Sequence, residues 1–296
     1  MKPVAVVAHA GKSIEGGLPE LRRTLARHGI ADPLWVEVPK SKKAPRQVKR
    51  LLDQGAEHFF VWGGDGMAQR CIDTLAGTGA TMAIIPAGTA NLLASNLGIP
   101  KEIEGAVMTG LHGHRRTIDV ASMNGERFAV MAGAGFDAGM IRDADNLKDR
   151  VGRAAYVWSG ARNLRTEGFG ARIEVDGVEW YDGQATCILV GNLGALFGGV
   201  EVFPDARPDD GQLELGIVEG AGLVRWMRIL ARTAVGNPSA SPFVRVTRAN
   251  AIKATLDRKV LYELDGGERS EVKSFKVRVE PGALRVRVPR PGQEEN

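Results

Sequence analysis

Two glycine-rich turns, each directly behind a short apolar run, constrain this chain more than any other feature. Val61-Trp62-Gly63-Gly64-Asp65-Gly66-Met67 follows the run from His58 to Trp62, and Ile85-Pro86-Ala87-Gly88-Thr89-Ala90-Asn91 follows the run from Met82 to Ile85. Apolar runs of this length, bounded by Gly and Pro, read as buried strands, and a helix-like segment follows each. In an open α/β sheet the loops at the carboxyl ends of strands are where ligands bind. Glycines let backbone N–H groups come close to a phosphate, and a carboxylate among them, here Asp65, can hold Mg²⁺ through oxygen. Plain strand-to-helix turns also use Gly and Asp, for backbone geometry alone.

The segments before these turns predict the frame that carries them. Pro3 to Ala8 reads as a strand buried on both faces, Leu18 to His28 as a helix stopped by Gly29, Leu34 to Val38 as a strand and Ala44 to Gln54 as a second helix. After Asp65, a helix over Met67 to Ala76 should aim its first N–H groups back at the loop. This β-α-β-α-β order with short links predicts a right-handed parallel sheet covered on both faces. His9-Ala10-Gly11-Lys12-Ser13 ends the first strand and is not a P-loop, because the position five before Gly11 is Val6.

A chain of 296 residues exceeds the usual size of one core, so two domains are expected. Apolar content of 44% and charged content of 25% are those of a soluble globular protein. A formal charge of +4 suits nucleotides, anionic lipid surfaces or nucleic acid without choosing among them. Basic residues cluster from Lys40 to Arg50, a run that suits phosphates, an anionic membrane or a solvated helix face. Cys71 and Cys187 sit in apolar segments without zinc-type spacing, which predicts buried reduced thiols and a cytoplasmic setting. No run reaches the ~20 apolar residues of a membrane span and no leader pattern opens the chain. A lipid substrate would therefore be met peripherally, from the water side.

The turn Gly63 to Met67 resembles the Gly-Gly-Asp-Gly-Thr signature of the diacylglycerol kinase catalytic domain. Ile84 through Asn91, continued by Leu97-Gly98-Ile99-Pro100, resembles that family's second motif. The resemblance implies an N-terminal doubly wound α/β nucleotide-binding domain, residues 1–118, and a β-rich lipid-acceptor domain, residues 119–296, whose C-terminal tail could pack back on the first. It implies ATP and Mg²⁺ as cofactors, with Gly11, Lys12, Gly63, Gly64, Gly66, Met67, Gly88, Thr89 and Asn91 around the nucleotide and Asp65 and Asp119 at the metal. Asp119 comes from Ile118-Asp119-Val120, which looks like the family's domain junction.

Several positions depart from the family. Its Asn-Pro-type loop is His9-Ala10 here, its signature Thr is Met67, its ribose-contacting Glu is Arg70 and the Asp after Asn91's match is Leu92. Ceramide kinases, which are related, also resemble this chain in carrying Met at the Thr position.

In the second half, Phe128 through Ala138 resembles the family's Gly-x-Gly-Phe-Asp-Ala strand and turn, with Asp137 read as a helix cap. Gly152 to Leu164 reads as a helix with Tyr156 and Trp158, and Leu223 to Val235 as another. Strands are predicted at Arg172 to Val175, Gly177 to Tyr181, Thr186 to Val190, Leu213 to Val218, Ala251 to Leu256, Leu261 to Leu264, Phe275 to Val279 and Leu284 to Val288. Asp176-Gly177 and Asp182-Gly183 supply hairpin chemistry, and Gly191-Asn192, Gly198-Gly199 and Pro204 to Gly211 look like a strand-and-loop block of the family. Asp265-Gly266-Gly267-Glu268 resembles the family's Asp-Gly-Glu with its carboxylate one residue late. That makes Glu268 the candidate general base and Asp265 a neighbour able to substitute or to bind metal.

The implied activity is transfer of the γ-phosphate of ATP to a lipid hydroxyl, most directly diacylglycerol. Sphingoid, ceramide or polyprenol phosphorylation, NAD kinase activity and a non-catalytic nucleotide or lipid sensor are the alternatives. NAD kinases share the first turn, but the adjacent Asn-Glu pair they use is absent. No nucleic-acid partner is expected, and a strand edge in the β-domain is a candidate homodimer contact.

Overall fold

The computed structural model describes residues 3–135, 168–195, 201–219 and 244–290. The chain divides into two compact units, Met1–Val120 together with Glu280–Asn296, and Ala121–Val279. The division thus falls two residues beyond the expected 118/119 boundary, and the end of the chain belongs with the first unit. Asp137, the helices expected at 152–164 and 223–235, Gly198-Gly199 and the last six residues lie outside the described residues.

The first unit is built on β1 (Val4–His9), β2 (Leu34–Val38), β3 (His58–Gly63) and β4 (Thr81–Pro86), all parallel, in the order β4-β3-β1-β2. Ala5 to Ala8, Phe59, Phe60 and Trp62 are fully buried, or within 1% of it. That is why these strands read as continuous apolar runs and not as alternating ones: helices cover both faces. Helix α1 (Gly17–Arg27) packs on α5 (Ile103–His112), and α2 (Ala44–Asp53), entered through a 3₁₀ turn at Ser41–Lys43, packs on α3 (Asp65–Leu75). Each helix buries one stripe, such as Ala44, Val48 and Leu51 on α2. The short α4 (Leu92–Asn96) follows β4. Because the four strands run the same way, the loops after β1, β2, β3 and β4 share one edge of the sheet.

The chain crosses into the second unit along β5 (His114–Met123). There β6 (Glu126–Phe128) pairs antiparallel with the end of β5, and β7 (Met131–Ala134), β8 (Phe169–Val175), β9 (Val178–Gly191), β10 (Leu213–Glu219), β11 (Val244–Ala249) and β12 (Ala251–Leu264) pair antiparallel among themselves, β12 also with the first part of β13 (Gly267–Val288). Their inward residues, among them Phe128, Phe169, Ile173, Val190, Leu215 and Phe275, form one core. On β12 the alternation is plain: Ile252, Ala254 and Leu256 are buried while Lys253, Thr255 and Asp257 are exposed.

Two-residue turns with both φ values positive close three hairpins, at Asn124-Gly125, Asp176-Gly177 and Asp265-Gly266. Asp182-Gly183, expected as a fourth, does not turn. Asp182 lies inside β9 and accepts hydrogen bonds from Arg172 Nε and Nη2 at 3.0 and 2.8 Å across the ladder. The paired predictions at 251–256 and 261–264, and at 275–279 and 284–288, likewise merge into β12 and β13. Register shifts in β9 and β12 interrupt the period of two without ending the strand.

From Glu280 onward β13 is part of the first unit, where Arg285 and Val286 pair in parallel with Thr81 and Met82. Arginines fasten it: Arg285 Nη1 donates to the Gly79 carbonyl (2.8 Å), Arg287 Nη1 to Gly113 (2.8 Å) and Arg290 Nε to His112 (3.0 Å).

His58, at the start of β3, packs edge-on to Phe60, and its Nε2 is buried without a hydrogen-bond partner. Burial first, and then the Arg287 guanidinium, push its pKa down to about 4, against the raising effect of a hydrogen bond with the Gly110 backbone. Between pH 6.5 and 4 the unfolded imidazole takes up a proton that the native one refuses. Stability is therefore full above pH 6.5 and falls as the pH drops towards 4, by an amount that can reach about 3 kcal/mol. Thermal melts from pH 7.5 to 4.5 should show this decline, and in His58→Gln it should be shallower by one proton's worth of slope.

Candidate active site

The two glycine turns touch. Gly63 pairs with Pro86 in register, and the Ala87 N–H donates to the Gly63 carbonyl at 3.0 Å, carrying the ladder one step past the strands. Beyond that step the backbones of Gly64 and Gly88 meet. A Cβ on Gly64 would lie 3.0 Å from Gly88 Cα, and one on Gly88 would collide with Gly64 Cα and lie 2.7 Å from Asn91 Oδ1. Only two glycines allow this approach.

Asn91 holds the second turn closed. Its Oδ1 accepts the Gly88 N–H at 2.9 Å and its Nδ2 donates to the Gly88 carbonyl at 2.9 Å, with its own backbone left-handed at φ 52°. Helix α4 starts there, and its Leu93 N–H donates to Asp65 Oδ1 at 3.2 Å. The second turn thus orients the carboxylate of the first. Asn91, expected among the nucleotide contacts, spends its side chain on the loop itself.

Asp65 opens α3, with Gly64 in extended conformation as its N-cap. The Met67 and Ala68 N–H groups return to the Gly64 carbonyl at 2.9 and 3.0 Å. The amide of Gly66, in the first helical turn, has no intrahelical acceptor and makes an anion-binding end together with the helix dipole. A Cβ on Gly66 would meet nothing within 4 Å, so the space in front of that turn is open among the described residues. Thr89 and Lys12 are exposed on loops at the same sheet edge.

Met67, Gly11 and Lys12, expected around the nucleotide, each have a partner within the protein. Met67 is 1% exposed, and a Cβ on Gly63 would lie 2.5 Å from Met67 Cβ, so its side chain plugs the space under the turn instead of facing a ligand. The amide of Gly11 donates to His9 Nδ1 at 3.1 Å and that of Lys12 to the His9 carbonyl at 3.1 Å, which leaves neither for a phosphate. His9 is the residue that sequence reasoning passed over. It fixes this loop together with Trp62, whose Nε1 donates to the Lys12 carbonyl at 2.9 Å. Leu92, where the family carries an acidic residue, is 5% exposed.

Asp119 is 2% exposed, and its Oδ1 accepts the Gly282 N–H at 2.7 Å, tying the returning strand to β5. The described residues contain no cluster of three or more His, Cys, Asp or Glu side chains fit to hold a metal. A single carboxylate at an open phosphate cradle, which Asp65 is, still fits Mg²⁺, because that ion binds through one or two carboxylates with substrate phosphates and water. Cys71 and Cys187 are buried free thiols. Burial pushes Cys71 up to about 12, and burial with the nearby Glu263 carboxylate raises Cys187 well above its ordinary value, so neither is a nucleophile.

In the second unit Asp265, expected as a neighbour of the base able to substitute for it or to bind metal, is engaged by backbone amides. It is 4% exposed. Its Oδ2 accepts the Ala129 N–H at 2.9 Å, and its Oδ1 accepts those of Val130 and Met131 at 2.9 and 3.0 Å. Burial raises its pKa, and the three amides and Arg269 act the other way. Arg269 secures the same hairpin through Glu126 (2.9 Å) and the carbonyls of Gly267 and Glu268 (2.9 and 3.1 Å).

Glu268 is exposed and sits directly across the ladder from Glu263, which is 7% exposed. The one-residue delay in the motif puts Glu268 on the face of Glu263, opposite that of Leu264 and Gly267. Glu263 and Arg269 were missed in the sequence. No local pattern marks the first, which alternates with the core residues Tyr262 and Leu264.

A phosphate cradle on an α/β sheet joined to an antiparallel β-unit defines a phosphotransferase of the nucleotide-dependent kinase class. A model of the diacylglycerol kinase catalytic domain matches residues 4–123, and one of the YegS C-terminal NAD kinase beta sandwich-like domain matches residues 130–288. The chain is 31% identical over 266 residues to "Probable lipid kinase YegS-like" of Cronobacter sakazakii, covering 87% of each chain. It is 32% identical over 212 residues to the diacylglycerol kinase of Bacillus subtilis, covering 69% of each. A Bacillus anthracis crystal structure provisionally named a diacylglycerol kinase superposes with a TM-score of 0.81 at 22% identity, over 97% of this chain and 95% of that one. An NAD kinase from Archaeoglobus fulgidus in complex with ATP superposes at 0.54 with 11% identity, over 96% and 93%. The chain belongs to the family of diacylglycerol kinases and YegS-like lipid kinases, and it is a lipid kinase.

Asp265→Asn removes one acceptor oxygen and turns an amide N–H₂ towards backbone donors. It should destabilise the fold by about 2 kcal/mol, read as a lowered urea midpoint. Glu268→Gln should leave that midpoint unchanged within about 0.5 kcal/mol.

Proposed function

We propose that this lipid kinase transfers the γ-phosphate of ATP to the free hydroxyl of diacylglycerol, giving phosphatidic acid and ADP, with Mg²⁺ as cofactor, at the cytoplasmic surface of a membrane. The observation that carries this reading is the contact of Gly64 with Gly88 beside an open helix N-terminus that presents Asp65. Phosphoryl transfer through a loose transition state asks the protein for alignment and charge neutralisation and for little covalent chemistry. The amide of Gly66 holds the donor phosphates, and Gly88 and Thr89 border them. Lys12 adds a positive charge from its exposed loop. Asp65 and Asp119 are the carboxylates that would hold Mg²⁺, directly or through water, and the ion would neutralise charge on the transferring group.

The acceptor oxygen forms the new bond to phosphorus as the bond to the β–γ bridging oxygen breaks, and Glu268 takes the acceptor's proton. With Asp265 bound into the β-hairpin, Glu268 is the carboxylate of the Asp-Gly-Gly-Glu segment left for that task. Diacylglycerol, rather than a sphingoid base, ceramide or polyprenol, is supported by the first-domain motif and by the name of the Bacillus subtilis relative.

The test is radiolabelled ATP offered with diacylglycerol, sphingosine, ceramide, polyprenol and NAD in turn. Label in phosphatidic acid, abolished by Asp65→Asn and reduced at least a hundredfold in kcat by Glu268→Gln, is expected. Label only in another acceptor would overturn the choice of lipid. Gly66→Ala probes the cradle itself. It should leave the melting temperature unchanged or slightly raised, since Ala suits a helix and meets no neighbour. ATP affinity should nevertheless fall about tenfold or more, because the methyl occupies the place of a phosphate.

A further inference from the structure

The segment from Pro39 to Leu52 contains Lys40, Lys42, Lys43, Arg46, Lys49 and Arg50 and no acidic residue. Against a whole-chain excess of +4, these six charges leave the remainder of the chain slightly acidic, so this segment carries the chain's net positive charge. All six side chains are exposed. Several other surface cations are paired: Arg23 with Glu20 at 2.7 Å, Arg27 with Glu104 at 2.6 Å, Lys253 with Glu174 at 2.7 Å. Among the described residues none of the six has such a partner. Self-repulsion of this kind is costly for the folded chain alone and is relieved by a polyanion.

The placement of these cations is specific. They occupy the 3₁₀ turn and the solvent face of α2, opposite its buried stripe of Ala44, Val48 and Leu51. Arg46, Lys49 and Arg50 share one helical face at i, i+3 and i+4. The turn follows the carboxyl end of β2 and packs on α3, the helix that Asp65 opens. The cations therefore begin at the sheet edge that carries the phosphate loops. No aromatic residue is interleaved from Lys40 to Arg50, so the surface offers nothing on which a nucleic-acid base could stack. It is suited to a diffuse sheet of negative charge.

We propose that the Lys40–Arg50 surface is the membrane-docking face of this kinase and binds anionic phospholipid headgroups. The proposal rests on the lipid-kinase reading, which requires the protein to reach its acceptor in a bilayer. Each Lys or Arg near an anionic surface strengthens attachment, and salt screens the effect within a Debye length.

The experiment is co-sedimentation of the full chain with vesicles of phosphatidylcholine alone or mixed with phosphatidylglycerol, at about 0.1 M and about 0.5 M salt. The triple variant Arg46→Gln, Lys49→Gln, Arg50→Gln is compared with the native chain. Sedimentation with the mixed vesicles only, lost at high salt and weakened about tenfold or more by the triple variant, is expected. Phosphorylation of diacylglycerol in neutral detergent micelles should be equal for the two proteins, which separates docking from catalysis. If no lipid is phosphorylated at all, the kinase reading fails while the vesicle result still stands or falls alone. Equal binding to neutral vesicles, or undiminished binding by the triple variant, overturns the proposal. So does tight, patch-dependent binding of a duplex oligonucleotide without vesicle binding.

Discussion

The first unit depends on one backbone contact, that of Gly64 with Gly88. Two parallel strands end side by side, and their exits would normally diverge as each enters its helix. Here the Ala87 N–H continues the ladder to Gly63, and the missing side chains allow the exits to close on each other. Everything chemical about the site follows from that closure. Asn91 can fold back onto Gly88 only because the turn is tight, and α4 then begins where Leu93 reaches the Asp65 carboxylate. An acid in the first turn of a helix is already favoured by the dipole. A donor from the neighbouring loop fixes its direction as well.

The second unit solves a similar problem with a buried charge. Asp265 is nearly inaccessible, and three consecutive backbone amides surround its carboxylate. Two of those amides, of Ala129 and Val130, form the link between β6 and β7, too short for strand pairing, and the third, of Met131, opens β7. The carboxylate thus replaces a missing ladder, and the left-handed turn at Asp265-Gly266 aims it inward. Desolvation, the larger effect, is partly offset by charge-assisted hydrogen bonds, the condition under which a buried acid is tolerated. Asp265 is therefore a structural member of a segment that looks catalytic in sequence, and Glu268 is left as its exposed carboxylate.

Much of this was legible in the sequence because the signals were local. The apolar runs gave β1 to β4 within a residue or two, and both glycine turns stood out by composition and spacing. Asp176-Gly177 read correctly as a hairpin. Asp182-Gly183 carries the same dipeptide yet continues a strand, because Arg172 on the neighbouring strand bonds the Asp182 side chain. No local pattern contains that partner. The surroundings of Met67 and Gly11 were hidden for a related reason. Met67 faces inward and the Gly11 amide is claimed by His9, a choice made in three dimensions. The strand merger in β12 was hidden by register shifts, which erase the period of two while the hydrogen bonds continue.

The departures from the family pattern acquire a common logic. Met67 and Leu92 replace polar residues of the family's motifs, and both are buried, at 1% and 5% exposure. A Thr at position 67 would place its hydroxyl under Gly63, where Met67 now packs, and an Asp at position 92 would need a partner for a buried charge. This chain has exchanged those side chains for apolar contacts that brace the two turns from beneath. Phosphate recognition is left to backbone amides and Asp65, neither of which the exchange disturbs. A site built on main chain tolerates such substitutions, since amides at a helix terminus are positioned by the fold and not by side-chain identity. The side chains at these two positions thus pack under the loop, and the loop above presents the backbone amides and Asp65.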